Sequence, residues 1–345
     1  MSSFAVLGEA LIDLRVVAGD QAEQSGRPAA RAYTAQPGGS PFNVAVGLAR
    51  LGHRADFVGR FAEDALAGIL RQHARESGAS LRYSGSSSGP TPAALFDLDE
   101  DGAARYEFHL GDARESMFSA AEASRIAAGV TDGVHGASVD AVHFGSLASW
   151  LPGSADAVLS GVTRLRRSGL LVTFDPNIRG KLLPSRIEAR RRVDQAAAAS
   201  DLIKASAEDL AWLWPDSSAD LAVDQAVRHW LSGGALAVVV TREAEGADCY
   251  TATGRLHGNS APVVVVDTVG AGDAFTAGLL AGLAEADALT RDGLAALLER
   301  DAESARLLDA ACAHAAATCA RPGADPPWGP LVSHDAARAV AIEGV

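Results

Sequence analysis

Cysteine is scarce in this sequence: Cys249, Cys312 and Cys319 are the three in 345 residues, and no CxxC occurs. They give no disulfide framework. Cys312 and Cys319 stand seven positions apart in an Ala-rich stretch, about 10 Å along a helix axis, too far to bridge. Long apolar runs are missing too. None approaches 18 residues, so no membrane-spanning helix is expected. The opening, MSSFAVLGEALIDL, lacks a basic segment and reaches acids at Glu9 and Asp13, unlike a secretory signal. A reduced, cytoplasmic chain is the expectation. Positive charge is in deficit, with Lys+Arg 30 against Asp+Glu 43 and a net charge of −13. An acidic surface repels nucleic-acid phosphates and anionic lipids, so neither is an expected partner. A local cradle of amides can still bind a small anion.

What is present is alternation. Apolar or β-branched runs at 4–8, 55–59, 92–97, 103–110, 140–145, 170–175, 201–204, 236–241 and 263–267 read as strands. Helical patterns lie at about 41–51, 63–77, 119–128, 154–167, 186–199, 219–232, 273–285 and 303–320. Such alternation implies a mostly parallel sheet covered on both faces. Residues 14–36 and 80–110 break the rhythm and read as a small β appendage. The tail after Pro330 reads as a surface helix.

The stretch richest in chemistry is VVVVDTVGAGDAF, residues 263–275. It reads as a buried strand ending at Asp267, a tight turn, and a helix opening near Asp273. Gly270 and Gly272 permit backbone approach that a Cβ would block. Amides of residues 270–273 then converge at a helix N-terminus, ready for an anion. Asp273 beside them can accept a proton from an alcohol. An amide nest and a base at one point suit phosphoryl transfer to a hydroxyl. Alone, the pattern could be an N-cap and a turn. No GxxxxGK[ST] is present, and GAGDAF lacks the third glycine of a dinucleotide fingerprint.

DTVGAGDAF resembles the C-terminal signature of the ribokinase-like (PfkB-type) carbohydrate kinases. Pro37-Gly38-Gly39-Ser40-Pro41-Phe42-Asn43 with Leu48-Ala49-Arg50-Leu51-Gly52 is similar to their N-terminal signature. Asp175-Pro176-Asn177-Ile178-Arg179 resembles their DxNxR element, and Gly8-Glu9-Ala10-Leu11-Ile12-Asp13 their first strand. The elements come in family order across nearly the whole chain. The fold implied is a three-layer α/β/α sandwich around a mostly parallel sheet. It forms a single kinase domain over 1–345, with a β-sheet lid from about 14–36 and 80–110.

The resemblance implies that Asp273 is the base and that Gly270, Ala271 and Gly272 hold the transferring phosphoryl group. Asp13, Gly38, Gly39, Asn43 and Arg179 would hold the sugar. From the residues alone, Ser40 suits an N-cap, Pro41 the first turn and Gly52 the C′ position of a helix. Asn43, polar in an apolar helix, needs a partner. Arg179 offers a fork for a phosphate or sugar oxygen, or is a strand-end surface residue. Lys204, Thr241, Gly246 and Gly323, with Gly270 and Gly272, would contact ATP. Glu208 would organise water around Mg²⁺, although Ala205 stands where many members have Asn. Asp267 would sit by a monovalent cation, K⁺. Glu243 stands where the nucleotide loop usually has glycine. The Ala-rich helix 303–320 suits either close approach of adenine or plain helix packing.

ATP-dependent phosphorylation of a sugar's primary hydroxyl is the activity implied. D-fructose is the acceptor that PGGSPFNVAVGLARLG, DTVGAGD and the segment Tyr106–Leu110 resemble most. 2-Keto-3-deoxygluconate, ribose and nucleosides are rivals. A catalytically inactive sugar- or nucleotide-binding regulator and a dinucleotide-dependent oxidoreductase are the alternatives of other classes. The resemblance also implies a homodimer through the lid, for which exposed strand edges give a reason. Asp97, Asp99 and Asp101 mimic a calcium loop, but between strand-like flanks they read as a hairpin turn. His135, His143, His229 and His314 lack metal spacing, and the arginines at 164–167 and 190–192 read as solvated helix faces.

Overall fold

Apolar stretches too short for helices become strands, and amphipathic stretches between them become covering helices. In chain order these are β1 (Ser3–Leu7), β2 (Leu11–Val16), β3 (Tyr33–Gly38), α1 (Ser40–Arg50), β4 (Arg54–Val58), β5 (Arg60–Phe61), α2 (Ala65–Glu76), β6 (Gly85–Ser86), β7 (Ala93–Leu98), β8 (Ala104–His109), α3 (Ala120–Thr131), β9 (Ala141–Gly145), α4 (Ser146–Trp150), α5 (Ala155–Arg167), β10 (Leu171–Asp175), α6 (Arg186–Ala198), β11 (Leu202–Ser206), α7 (Ala207–Leu213), α8 (Ala219–Ser232), β12 (Ala237–Thr241), β13 (Ala247–Tyr250), β14 (Arg255–Gly258), α9 (Ala271–Glu285), α10 (Arg291–Leu298) and α11 (Asp301–Cys319). The structure is a computed structural model that describes residues 1–16, 32–98, 104–111, 117–131, 139–183 and 185–329.

The main sheet runs β14-β13-β12-β11-β10-β9-β1-β4. From β4 to β12 every pairing is parallel, and the β12–β13–β14 edge is antiparallel. This is the expected mostly parallel sheet. Helices cover both faces, and each face has its own core: Ala5 and Leu7 of β1 join one apolar cluster, Phe4 and Val6 the other. That split is the two-residue period of a strand buried on both sides. A second sheet, β3-β2-β7-β8, comes from the two segments that broke the helical rhythm. Among the described residues, no helix is long and apolar enough to cross a membrane.

Two expectations fail. Val263–Val266 forms no strand, and Val264, Val265 and Val266 are exposed. The run pairs with none of the described strands. It passes the end of α11 instead, where the amides of Val266 and Asp267 both reach the Cys319 carbonyl. β-propensity gave way to the absence of a partner strand. Ser40 is not the cap of α1: Gly39 is, at φ 101°, and Ser40 begins the helix. Asp97 lies within β7, opposite Arg105 of β8 in the antiparallel ladder. Asp99, Asp101, His135 and the tail after Pro330 lie outside the described residues.

Candidate active site

The carboxyl ends of β1, β9, β10 and β11 open into one cavity of about 210 Å³. Ligands of open α/β sheets bind at such ends. α9 and α1 point their N-termini at it, and the second sheet closes one side with Ala94 and Phe108.

Asp273 sits in the first turn of α9 and lines the cavity. The helix before it is capped by Gly270 at φ 79°, where a Cβ would stand 2.6 Å from Ala324 Cβ. A side chain there meets both strain and a clash, which accounts for glycine. Helix geometry leaves the amides of Gly272 and Asp273 without an intrahelical acceptor. The Ala271 amide is already taken up by the Thr268 carbonyl at 3.2 Å. Gly270, Gly272 and Asp273 are therefore the open part of the predicted nest.

Asn43 finds its partner across the helix pair: its Nδ2 donates to Asp273 Oδ2 at 2.8 Å. The Ser40 hydroxyl bonds the same carboxyl. Burial pushes the Asp273 carboxyl above the usual carboxylate range, while the bonds from Ser40 and Asn43, and nearby Lys204, pull against it. A base held this way is aimed and partly desolvated. Gly39, at φ 101°, lets the start of α1 pass against the Glu9 carbonyl, which a Cβ would approach to 2.6 Å.

Lys204 Nζ donates to Asp175 Oδ2 at 2.9 Å, a buried pair. Burial alone would lower its pKa; Asp175, Asp209 and Asp273 more than offset that and keep it charged. The ammonium lies 3.0 Å from where a Cβ on Gly272 would stand, so Gly272 lets a cation reach the nest. Asp13 and Arg179 line the opposite wall. Burial raises the Asp13 carboxyl to about 7; Arg179 opposes this, and Asp273 and Asp267 add to it. Gly38 stands behind Asp13, with the carboxylate 2.2 Å from where its Cβ would be.

Other predicted residues lie outside the cavity lining. Glu208 is exposed on α7. Its neighbour Asp209 is the buried acid, accepting the Ile178 amide at 3.0 Å, with a carboxyl raised by burial and by Asp175 to about 6. Helical spacing turns adjacent residues about 100° apart, and the sequence reading took the outer one. Thr241 and Gly246 flank the β12–β13 turn. Glu243 holds φ 50° there, so the backbone suited to glycine survives without glycine. Gly323, at φ 73°, donates its amide to Asp267 Oδ2 at 2.9 Å. Sequence reading named Glu9 and Asp175 within motifs but gave them no role, and it did not single out Ser146; for the two acids, burial in an apolar run was the available signal.

The match to known proteins decides the family. The model described as pfkB family carbohydrate kinase matches residues 1–329. This chain belongs to that family. A fructokinase of Rhizobium leguminosarum bv. trifolii is 32% identical to the kinase over 294 residues, 85% of this chain and 83% of the relative. A fructokinase of Klebsiella pneumoniae is 32% identical over 249 residues, 72% of this chain and 77% of the relative. The crystal structure of a Xylella fastidiosa fructokinase with bound ATP superposes with TM-score 0.78 at 25% identity, covering 93% of both chains. The ribokinase-like fold of the kinase is thereby shown.

Two ions are implied by the family. Mg²⁺ travels with nucleotide phosphates, keeps waters and needs only one or two carboxylates. Among the described residues no cluster of three or more His, Cys, Asp or Glu is arranged to hold a metal, and Mg²⁺ on ATP needs none. The exposed Glu208 at the start of α7 can hold such water, whereas Asp209 beside it is buried, lies outside the cavity lining and already accepts the Ile178 amide. For a monovalent cation the fit is poor. Asp267 Oδ2 takes Arg15 Nη1 at 2.9 Å and the Gly323 amide, and Oδ1 takes the Val269 amide at 3.1 Å. The carboxylate already has its counter-charge.

Proposed function

We propose that this kinase transfers the γ-phosphoryl group of Mg-ATP to the primary hydroxyl of a neutral hexose, D-fructose giving fructose 6-phosphate. One observation carries the reading: Asp273 and the open amides of Gly270 and Gly272 face a single cavity with Lys204. The fructokinase relatives and the ATP-bound neighbour support the acceptor and the donor.

In this reading the sugar lies between Asp13, Arg179, Asn43 and the Gly38–Gly39 turn. Its hydroxyl oxygen bonds to the γ-phosphorus as the bond to the β–γ bridging oxygen breaks, and ADP leaves with that electron pair. Asp273 takes the hydroxyl proton. The amides and Lys204 face the charge that gathers on the phosphoryl oxygens, where preorganised donors act most strongly. Mg²⁺ supplies charge neutralisation on the phosphates when bound. Glu208, exposed at the start of α7, would organise the water around it. Thr241, Gly246 and Gly323 stand as nucleotide contacts from the far side.

Residues 11–16, 33–38, 93–98 and 104–109 would act as the lid on a single kinase domain, excluding water that would otherwise be phosphorylated. β3 and β8, the edges of that sheet, would carry a homodimer contact. A cytoplasmic setting, where ATP is made, suits the reaction. Because Arg15 neutralises Asp267, replacing K⁺ with tetramethylammonium should slow wild type by less than about threefold; a larger loss would reinstate the cation. Three carboxyls, Glu9, Asp13 and Asp273, line the sugar end. Arg179 and Lys204 line the same cavity, so the assay below separates a neutral acceptor from an anionic one such as 2-keto-3-deoxygluconate. ADP release measured against fructose, ribose, 2-keto-3-deoxygluconate and nucleosides tests the reading. Fructose should give the highest kcat/KM, and no ADP with any acceptor would favour a binding regulator.

A further inference from the structure

β1, β9 and β10 lie side by side, and each delivers a further cavity residue just past its end: Glu9, Ser146 and Asn177. None belongs to the sugar contacts assigned above. Glu9 is 2% exposed, and a carboxyl so buried requires partners. Its Oε2 accepts the Ala148 amide at 3.0 Å, and the Ser146 hydroxyl bonds the same side chain. Both neighbours are held in a backbone region that L residues avoid: Ser146 at φ 54° and Asn177 at φ 39°. Such conformations persist only where the surroundings over-determine them, and they gather at ligand sites.

The contacts here supply that constraint. Glu9 grips the 146–148 turn. Ser146 Oγ in turn accepts Asn177 Nδ2 at 3.3 Å, and the Asn177 amide donates to Asp175 Oδ1 at 3.1 Å. We infer that Glu9 is a positioning residue for the sugar: through Ser146 it holds the Asn177 side chain against the acceptor, and so sets sugar affinity and orientation. This rests on the sugar-kinase reading above. The series meets the phosphate end only at Asp175, whose other oxygen holds Lys204; the bond to Asp175 comes from the Asn177 backbone amide, so side-chain changes at Glu9 and Ser146 should leave nucleotide binding in place.

The test compares Glu9→Ala, Glu9→Gln and Ser146→Ala with wild type, measuring KM for sugar and for ATP separately, with the acceptor wild type uses best. Losing one such hold is worth about tenfold, the scale of a single buried hydrogen bond. Glu9→Ala should raise sugar KM about tenfold with ATP KM unchanged. Glu9→Gln, which keeps an oxygen for the Ala148 amide, should restore most of it. Ser146→Ala, which leaves the Glu9–Ala148 bond in place, should raise sugar KM severalfold and covers the case in which Glu9→Ala does not fold. Unchanged sugar KM in Ser146→Ala, or sugar and ATP KM rising together in a folded Glu9 variant, would overturn the proposal. Crystal structures of wild type and Glu9→Gln or Ser146→Ala separate the two readings. If wild type phosphorylates no sugar yet Asn177 shifts in Ser146→Ala, the substrate assignment fails and the positioning stands; if Asn177 stays in place, the positioning fails.

Discussion

Two turns of this kinase, both proposed to meet the nucleotide, solve one backbone problem in different ways. The turn from Asp267 to Asp273 places glycine at its left-handed position, Gly270, and again at Gly272, where Lys204 crowds in. The turn from Thr241 to Gly246 has a left-handed position too, at φ 50°, and fills it with Glu243. The first turn must leave bare amides in the cavity, so a side chain is excluded by chemistry as well as by space. The second is braced from beneath. Asp248, wholly buried on β13, accepts Arg242 Nε and Arg255 Nη2, each at 2.8 Å, and bonds His257 Nδ1 at 2.8 Å. Burial alone would raise the Asp248 carboxyl; the bonds from His257, Arg242 and Arg255 bring it below the usual range. Arg242 also donates its amide to the Gly246 carbonyl at 2.8 Å. A turn tied at that many points tolerates a residue that its conformation disfavours.

The largest predicted effect removes the chemistry of the first turn and leaves its shape. Asp273→Asn keeps an oxygen for the Asn43 amide but cannot take a proton. The kcat should fall by about 10³, within the usual range for loss of a general base, with KM for both substrates and Tm near wild type. Activity equal to wild type in steady-state assays would remove Asp273 from its role. Next in size is Gly270→Ala, which keeps Asp273 and attacks the backbone. The added methyl meets Ala324 and stands at φ 79°. Thermal melts should show a loss of about 1–3 kcal/mol, from strain and overpacking together, with kcat down by at least tenfold. A variant with full activity would mean that the amides do not hold the phosphoryl group.

A smaller effect sits on the opposite wall. Asp13 titrates at about 7, above its ordinary value of 3.8, because of burial first and then Asp273 and Asp267. The folded state therefore binds the proton more tightly than the unfolded chain. The stability this group contributes is full below about pH 4 and is lost as pH rises through 7. Binding runs the other way, since the ionised carboxylate is the better acceptor for sugar hydroxyls. Sugar KM should fall a few-fold between pH 6 and 8, and Asp13→Asn should flatten that profile at a higher KM. A wild-type KM independent of pH would place the Asp13 proton elsewhere.

How far the sequence reached follows the same division between backbone need and tertiary setting. Gly270, Gly272, Asp273 and the Gly39–Asn43 helix start were legible because each needs a particular residue type whatever surrounds it. The parallel sheet was legible because doubly buried strands must be apolar throughout. Val263–Val266 was misread because pairing depends on where the sheet ends, and no local pattern carries that. Which of the adjacent acids Glu208 and Asp209 turns inward was hidden for a related reason: only the packing of α7 decides it. Glu9, Ser146 and Asn177 come together through parallel register between β1, β9 and β10, which joins residues more than 130 positions apart.

The smallest predicted effect returns to the second turn. If Glu243 is a strained tenant of a glycine position, Glu243→Gly should relieve about 1 kcal/mol, the usual size of the left-handed penalty. The greater freedom of glycine in the unfolded chain offsets part of this. For a protein of this length the net gain amounts to a rise in Tm of about 1–2 °C. Glu243→Ala keeps the Cβ and should gain nothing, which separates backbone relief from loss of an exposed carboxylate. ATP KM should be unchanged in both, since the Asp248 network already fixes the turn. A Tm that falls in Glu243→Gly would show that the side chain, not the network beneath it, holds the loop in place, and the contrast between the two turns would vanish.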